Sequence, residues 1–315
     1  MRNLSVIIPF YNENIEVENT LKSIQDTADE PLDIVLVNDG SDDSYDYKKI
    51  ADMYSAIYIV HHRRLGSGPA KQAGINACQT PYFLVIDAHM RFYRNGWCKS
   101  IIQSIENNSR AIYCCCCKVW HYETKKESPL GKIRYGASLQ FFQPEKRNIL
   151  EPVWIKEDIW GKELVVDVPC ILGACYSASK EYWNYLKGYE GLKLYGCEEF
   201  YISLKAWMEG GCCRLIKNIE IGHLFKENAF FTMERNELFY NKMVIIETLF
   251  PNELQRKYIR ALKAMNYVDY VHAKEQIEAN AGEISSLRSY YENILTVPLD
   301  EVMRFTASID GLISK

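Results

Sequence analysis

The chain has 315 residues, 48% of them hydrophobic and 25% charged, which is too apolar for a disordered protein and ordinary for a globular one. Its formal net charge of −4 gives no overall field that would favour nucleic acid. An anionic ligand therefore has to be met by local groups.

In chain order, Leu4-Ser-Val-Ile-Ile-Pro9 reads as a strand, being too short for a signal-peptide core and followed by no small-residue cleavage site. Further strands are expected at 33–38, 56–60 and 82–87, with amphipathic helices at 16–27, 45–54 and 69–78. Short runs of Val, Ile and Leu alternating with helices predict an α/β fold with a mostly parallel sheet. In such sheets ligands bind beyond the carboxyl ends of the strands, where strand order reverses.

From about 110 to 231 the pattern is mixed, with strands expected at 111–120, 139–142, 165–177 and 212–216 and helices at 180–186 and 198–209. Cys114 to Cys117 are consecutive, so in a strand they point alternately to opposite faces and cannot form one metal site. They are expected to be reduced core residues of a reducing compartment. Residues 144–162 show no clear period and read as a long loop. After about Thr232 glycine nearly vanishes, and a helical region is expected with breaks at Pro251, Gly282 and Pro298. With 10 basic and 12 acidic residues from 232 to 315, this region is not a basic tail. No stretch approaches the roughly 20 apolar residues of a membrane span. A cytoplasmic protein, able to visit the inner face of a membrane, is the expectation.

Four loops at expected strand ends carry the polar chemistry: Pro9-Phe-Tyr-Asn-Glu13, Asn38-Asp-Gly-Ser-Asp42, Asp87-Ala88-His89 and Gly222-His-Leu-Phe-Lys226. Singly, each has an ordinary explanation. Asp39-Gly-Ser-Asp42 can be a turn with a helix cap, and His223 a satisfied buried imidazole. Asp87 and His89, two apart in an extended segment, share a face and can reach one divalent ion.

Together the motifs resemble a family. Ser5-Val-Ile-Ile-Pro-Phe-Tyr-Asn-Glu13, Ile34-Val-Leu-Val-Asn-Asp-Gly-Ser-Asp42 and Phe83-Leu-Val-Ile-Asp-Ala-His89 resemble the nucleotide-sugar half of GT-A glycosyltransferases. The D-x-H triplet resembles that of polypeptide N-acetylgalactosaminyltransferases. Gly96-Trp97, the segments 171–180 and 191–211, and Gly222-His-Leu-Phe-Lys226 match that group in order. The likeness covers residues 4–231; residues 232–315 lie outside it and are expected to form a C-terminal helical extension packed on the α/β domain, with the lectin domain common in that group expected to be absent.

The resemblance implies a Rossmann-like GT-A domain that moves GalNAc or GlcNAc from a UDP-sugar. Asp87, His89 and His223 are implied as Mn²⁺ ligands, with Ala88 between them in the donor site. Asp39 is implied to contact uridine or ribose, and Pro9, Tyr11 and Glu13 to flank the base. Lys71 stands at a family arginine of the donor site, and Lys226 is placed to meet the diphosphate. Glu198 is implied to touch the donor sugar or the acceptor. The sequence departs at Tyr195-Gly-Cys-Glu-Glu199, where the family has W-G-G-E-N. D-x-H implies retention, whereas Glu199 stands where inverting family-2 enzymes hold a catalytic base. The acceptor is a peptide, a glycan or a lipid-linked sugar. Tyr267, Tyr270, Tyr290 and Tyr291 serve packing, the acceptor side or a homo-oligomer contact. A sugar nucleotidyltransferase is disfavoured because Pro9-Phe-Tyr-Asn-Glu13 replaces the Gly-rich loop of those enzymes. A decayed binding protein is disfavoured because all three candidate metal ligands are present, and a cysteine-based enzyme because an apolar strand suppresses thiolate.

Overall fold

The computed structural model describes residues 2–121, 123–128, 131–143, 148–225 and 235–313. The first part alternates β1 (Leu4–Phe10), α1 (Ile15–Thr27), β2 (Leu32–Asn38), α2 (Tyr47–Met53), β3 (Ile57–Val60), α3 (Ser67–Ala77) and β4 (Tyr82–Ile86). Next come β5 (Met90–Arg91), α4 (Trp97–Asn107), β6 (Ala111–His121), β7 (Lys126–Glu127), β8 (Ile133–Arg134), β9 (Ala137–Gln143) and β10 (Asn148–Trp154). The chain continues through β11 (Val165–Asp167), β12 (Cys175–Ser179), α5 (Lys180–Tyr185), α6 (Glu198–Glu209) and β13 (Cys212–Phe225). It closes with helices α7 (Arg235–Leu249), α8 (Asn252–Met265), α9 (Tyr267–Ala279), α10 (Ala281–Ile294) and α11 (Leu299–Ile313).

The main sheet runs β11-β13-β6-β12-β4-β1-β2-β3. β1 lies between β2 and β4 and is parallel to both, and β2 is parallel to β3. β12 is antiparallel to β4 and to β6, while β13 returns parallel to β6. Both faces are covered, so Val6 to Ile8, Val35 to Val37 and Phe83 to Ile86 are all buried. That explains the continuous apolar runs in the sequence. The chain winds from β1 out to β3 on one side and places β4 on the other. The carboxyl ends of β1 and β4 therefore flank the point where strand order reverses.

The four-cysteine run lies within β6, and Cys114 to Cys117 are buried and unbridged. Burial pushes the Cys114, Cys116 and Cys117 thiols up, so they behave as small core residues.

Several expectations are corrected. Residues 144–162 are not one loop: β10 pairs antiparallel with β9, and Ile149 and Leu150 are buried. Pro152, which lacks an N–H, is tolerated because β10 has β9 as its one partner in that two-stranded sheet. Residues 165–177 hold two strands, β11 and the start of β12, rather than one. The strand expected to stop at Ile216 runs to Phe225, with a register shift between Ile216 and Glu220. The breaks expected at Pro251 and Pro298 are present, but Gly282 lies inside α10, and further breaks fall at Asn266 and Asn280. Asn266 caps α9 by accepting from the N–H groups of Val268 and Asp269, a cap signal that replaces glycine here.

The C-terminal helices share one apolar core with the α/β part. Tyr291 of α10 packs edge-on against Tyr201 of α6 at 6.3 Å. The buried Lys205 Nζ, whose pKa burial pushes well down, donates to the Tyr291 hydroxyl at 3.1 Å and lies 3.8 Å from the centre of the Tyr201 ring. Gln140 of β9 donates to Asp310 of α11 at 3.1 Å. No helix among the described residues is long and apolar enough to cross a membrane. Tyr291→Ala should lower the unfolding free energy by about 3–5 kcal/mol, as for other large aromatic truncations in cores, measurable as a fall in the urea midpoint.

Candidate active site

The carboxyl ends of β1, β2 and β4 open onto a cavity of about 340 Å³. Its lining includes Pro9, Tyr11, Glu13, Asp39, Lys71, Asp87, Ala88, His89 and His223. Nine of the residues singled out from sequence thus meet in one place.

The loop after β1 turns sharply, with Asn12 and Asn14 at positive φ of 55° and 50°. The Asn12 side chain holds the loop after β2, accepting from the Asp42 N–H at 3.0 Å and donating to its carboxylate at 2.6 Å. Asp39 is nearly buried and accepts from His61 Nδ1 at 2.7 Å, Leu65 N–H at 2.9 Å and Gly66 N–H at 2.7 Å. It therefore orders the loop after β3 as well as lining the cavity. A carboxylate has about four acceptor positions, so part of its capacity is left for a ligand.

Gly66 leads into α3 at φ 95°, and a Cβ there would lie 2.2 Å from the Leu194 backbone. Only glycine permits that close approach. The first turns of α3 are thereby brought against the cavity, where Ser67, Ala70 and Lys71 line it. A helix N-terminus favours negative charge.

Asp87, His89 and His223 offer ligand atoms that all lie within 4.8 Å of one another. Asp87 follows β4, and its N–H donates to Ala174 O at 3.1 Å. His223 is 136 residues away in the chain, yet its Nε2 lies 3.2 Å from Asp87 Oδ2. Backbone pairing brings it there: His223 opposes Met90 of β5, and the Leu224 N–H donates to His89 O at 3.1 Å. His89 Nδ1 lies 3.3 Å from Glu13 Oε1. One carboxylate and two imidazoles suit a divalent transition ion.

The electrostatics are dense. Burial raises the Asp87 carboxyl, but the His223 contact and the Lys71 charge outweigh it and leave the pKa well below the usual range. Lys71 is 5% exposed, not on a solvated face, and its ammonium lies 3.4 Å from Gly173 O. Burial opposes its charge, but Tyr176, Asp87, Glu198 and Glu199 together raise its pKa. Glu198 Oε2 accepts from the Gly196 N–H at 2.8 Å. Glu199 lies over Gly173, where a Cβ would sit 1.8 Å from its Oε1. Burial and the neighbouring Glu198 push Glu199 up to about 7.

Glu198 and Glu199 stand beside Lys71 rather than on the cavity lining. Lys226 lies outside the described residues. The cavity also uses Phe10, Arg64, Ser67, Ala70, Tyr195 and Phe225. The Arg64 guanidinium sits over the Tyr11 ring at 5.1 Å. The signal for Arg64 was present, because His61-His-Arg-Arg64 follows β3 at its carboxyl end. Phe225 belongs to the Gly222–Lys226 segment already singled out, and the length of β13 brings it to the cavity.

A family model described as glycosyl transferase family 2 matches residues 5–160. Polypeptide N-acetylgalactosaminyltransferase 8 of Drosophila melanogaster is 27% identical over 72% of this chain and 39% of its own length. N-acetylgalactosaminyltransferase 6 of the same organism is 30% identical over 71% of this chain and 34% of its own. The chain thus spans less than half the length of these curated relatives. Among solved structures, GalNAc-T7 with UDP, GalNAc and Mn²⁺ superposes with a TM-score of 0.74 and 17% identity, covering 96% of this chain and 56% of that one. TarS 1–349 of S. aureus with UDP-GlcNAc gives 0.56 and 13%, covering 92% and 90%. The motifs, the sheet order and these likenesses agree, and the chain is similar to GT-A, family-2-like glycosyltransferase domains of the polypeptide N-acetylgalactosaminyltransferase type.

Proposed function

We propose that this chain transfers a sugar from a UDP-sugar to an acceptor hydroxyl with the help of a divalent cation. The observation that carries this reading is the Asp87–His89–His223 cluster opening onto the same cavity as Pro9, Tyr11, Asp39 and Lys71. Relatives named for GalNAc transfer and neighbours solved with UDP, UDP-GlcNAc and Mn²⁺ support it. GalNAc or GlcNAc is the proposed donor sugar. A cation such as Mn²⁺, held by the three ligands, would offset the charge that develops on a departing diphosphate.

The chain's own groups have complementary tasks in this reading. Tyr11 and Arg64 offer a flat aromatic-guanidinium wall for a base, with Pro9 and Glu13 beside it. The open acceptor position of Asp39 takes a ribose or uracil donor. Lys71 holds a buried positive charge near the diphosphate, and Lys226 is proposed as a further cation for it. Glu198 and Glu199 lie on the sugar and acceptor side. Retention follows if the leaving phosphate oxygen takes the acceptor proton. A second reading, inversion with Glu199 as base, is favoured by one observation: its pKa of about 7 suits proton transfer near neutrality. Residues 1–231 are proposed as the catalytic unit and 232–315 as its helical extension, in a cytoplasmic protein whose acceptor is a peptide, glycan or lipid-linked sugar.

Calorimetry of UDP binding with Mn²⁺ and with chelator tests the donor site. Binding should require the metal, and His89→Ala should weaken it by more than about 100-fold, since even outer-shell partners of a metal are worth about 10–100-fold. UDP binding that ignores both would overturn the metal assignment. The Glu199 proton gives a second test. Its folded pKa of about 7 exceeds the ordinary 4.5, so the folded chain keeps a proton that the unfolded chain has released. The associated stability is present below the unfolded value and is lost as pH rises through the folded one. Urea midpoints measured in chelator should fall across that window, and Glu199→Gln should flatten the slope.

A further inference from the structure

We propose that the outer face of α8, together with the α8–α9 corner, docks the protein onto an anionic lipid surface. α8 is strongly amphipathic. Tyr258 and Leu262 are buried against its neighbours, while Arg256, Lys257, Arg260 and Lys263 are exposed on the opposite side. Successive 100° steps place Arg256, Arg260 and Lys263 within one narrow stripe, with Lys257 at its edge.

The matching of charge sets this helix apart from its neighbours. On α9, α10 and α11 the basic side chains meet carboxylates four residues away: Lys274 with Glu278 at 2.5 Å, Arg288 with Glu292 at 2.9 Å, and Arg304 with Asp300 at 3.0 Å. Among the described residues no carboxylate pairs with any of the four cations on α8. Glu253 is the one acidic residue in that helix, against four basic ones, in a chain whose net charge is −4. The positive charge is therefore concentrated locally rather than spread.

The second observation is apolar. Tyr267 and Val268 begin α9 and are 60% and 62% exposed. They are the one pair of sequence neighbours among the large apolar side chains exposed on the described residues. The Lys263 ammonium lies 5.4 Å from the centre of the Tyr267 ring, so the corner joins the basic stripe.

Basic residues on an amphipathic helix are attracted to anionic headgroups, and a tyrosine with an aliphatic neighbour suits the headgroup boundary. Neither signal is strong alone; one gives marginal, reversible binding, and stable binding takes two. A soluble polyanion would use the charges and have no use for the apolar corner. A second copy of this chain would need an acidic counterpart, and the acids of the adjoining C-terminal helices are in part already paired.

The surface stands apart from the UDP-sugar reading, because no residue in it lines the cavity. Vesicle co-sedimentation of the full chain, with and without phosphatidylglycerol in phosphatidylcholine, tests it, with UDP binding followed in parallel as an independent readout. Binding should need the anionic lipid and weaken with salt. Arg256→Gln with Arg260→Gln should reduce it about 30-fold, taking about fivefold per charge. Tyr267→Ser with Val268→Ser should reduce what binding survives at high salt. These side chains are exposed, so unchanged thermal unfolding confirms that the variants fold. Equal binding to both vesicle types, or binding unaffected by the arginine changes, overturns the proposal. So does tight binding to soluble polyphosphate that the corner variant leaves intact, or a dimer in sedimentation that the arginine changes dissolve.

Discussion

The pairing of β5 with β13 is the constraint on which the site depends. β5 has only two residues, yet it sets His223 opposite Met90, directly after the Asp87-Ala-His89 triplet. The Leu224 N–H to His89 O bond locks the same register. A shift of one residue would turn His223 to the other face of the sheet and remove it from the cluster. The long run of β13 beside β6 makes such a slip costly. Ala111 to Cys117 of β6 are buried in that run, with cysteines too small to crowd it.

The strand-order reversal supplies the space. Because β1 has β2 on one side and β4 on the other, the loops after β1 and β4 diverge and leave a crevice between them. α3 closes one wall of it through Gly66, whose backbone touches Leu194. Asp39 ties the loop after β3 to this wall with three accepted hydrogen bonds. The same carboxylate thus orders the cavity before any ligand arrives, which lowers the entropy cost of binding.

Charge is balanced across the crevice rather than residue by residue. Lys71 is buried among Asp87, Glu198, Glu199 and the ring of Tyr176. It stabilises Asp87 as a carboxylate, while Glu199, crowded by Glu198, is held close to neutral pH. One cation therefore serves two acids to different degrees, and their ionisation separates. Such separation is what divides the roles of neighbouring carboxylates in enzyme sites.

The α/β alternation was legible because buried parallel strands must be apolar throughout and their covering helices amphipathic. α6 was found to the residue, since Glu198 opens it and Gly210 closes it in a left-handed conformation. The cavity-lining loops were legible too, since loops at strand ends carry the polar residues of such folds. β10 was not, because Pro152 and the charges around it mimic a loop until β9 lies alongside. The starts of α9 and α10 were not legible, because Asn266 and Asn280, rather than Gly282, mark those breaks. By itself, then, the sequence determined the fold class, the triplet Asp87-Ala-His89 and the set of candidate ligands. Only the tertiary structure decided that Lys71 is buried, that Arg64 sits over Tyr11, and that His223 reaches Asp87. Those facts depend on strand register and helix contacts between residues far apart in the chain, which no local pattern encodes.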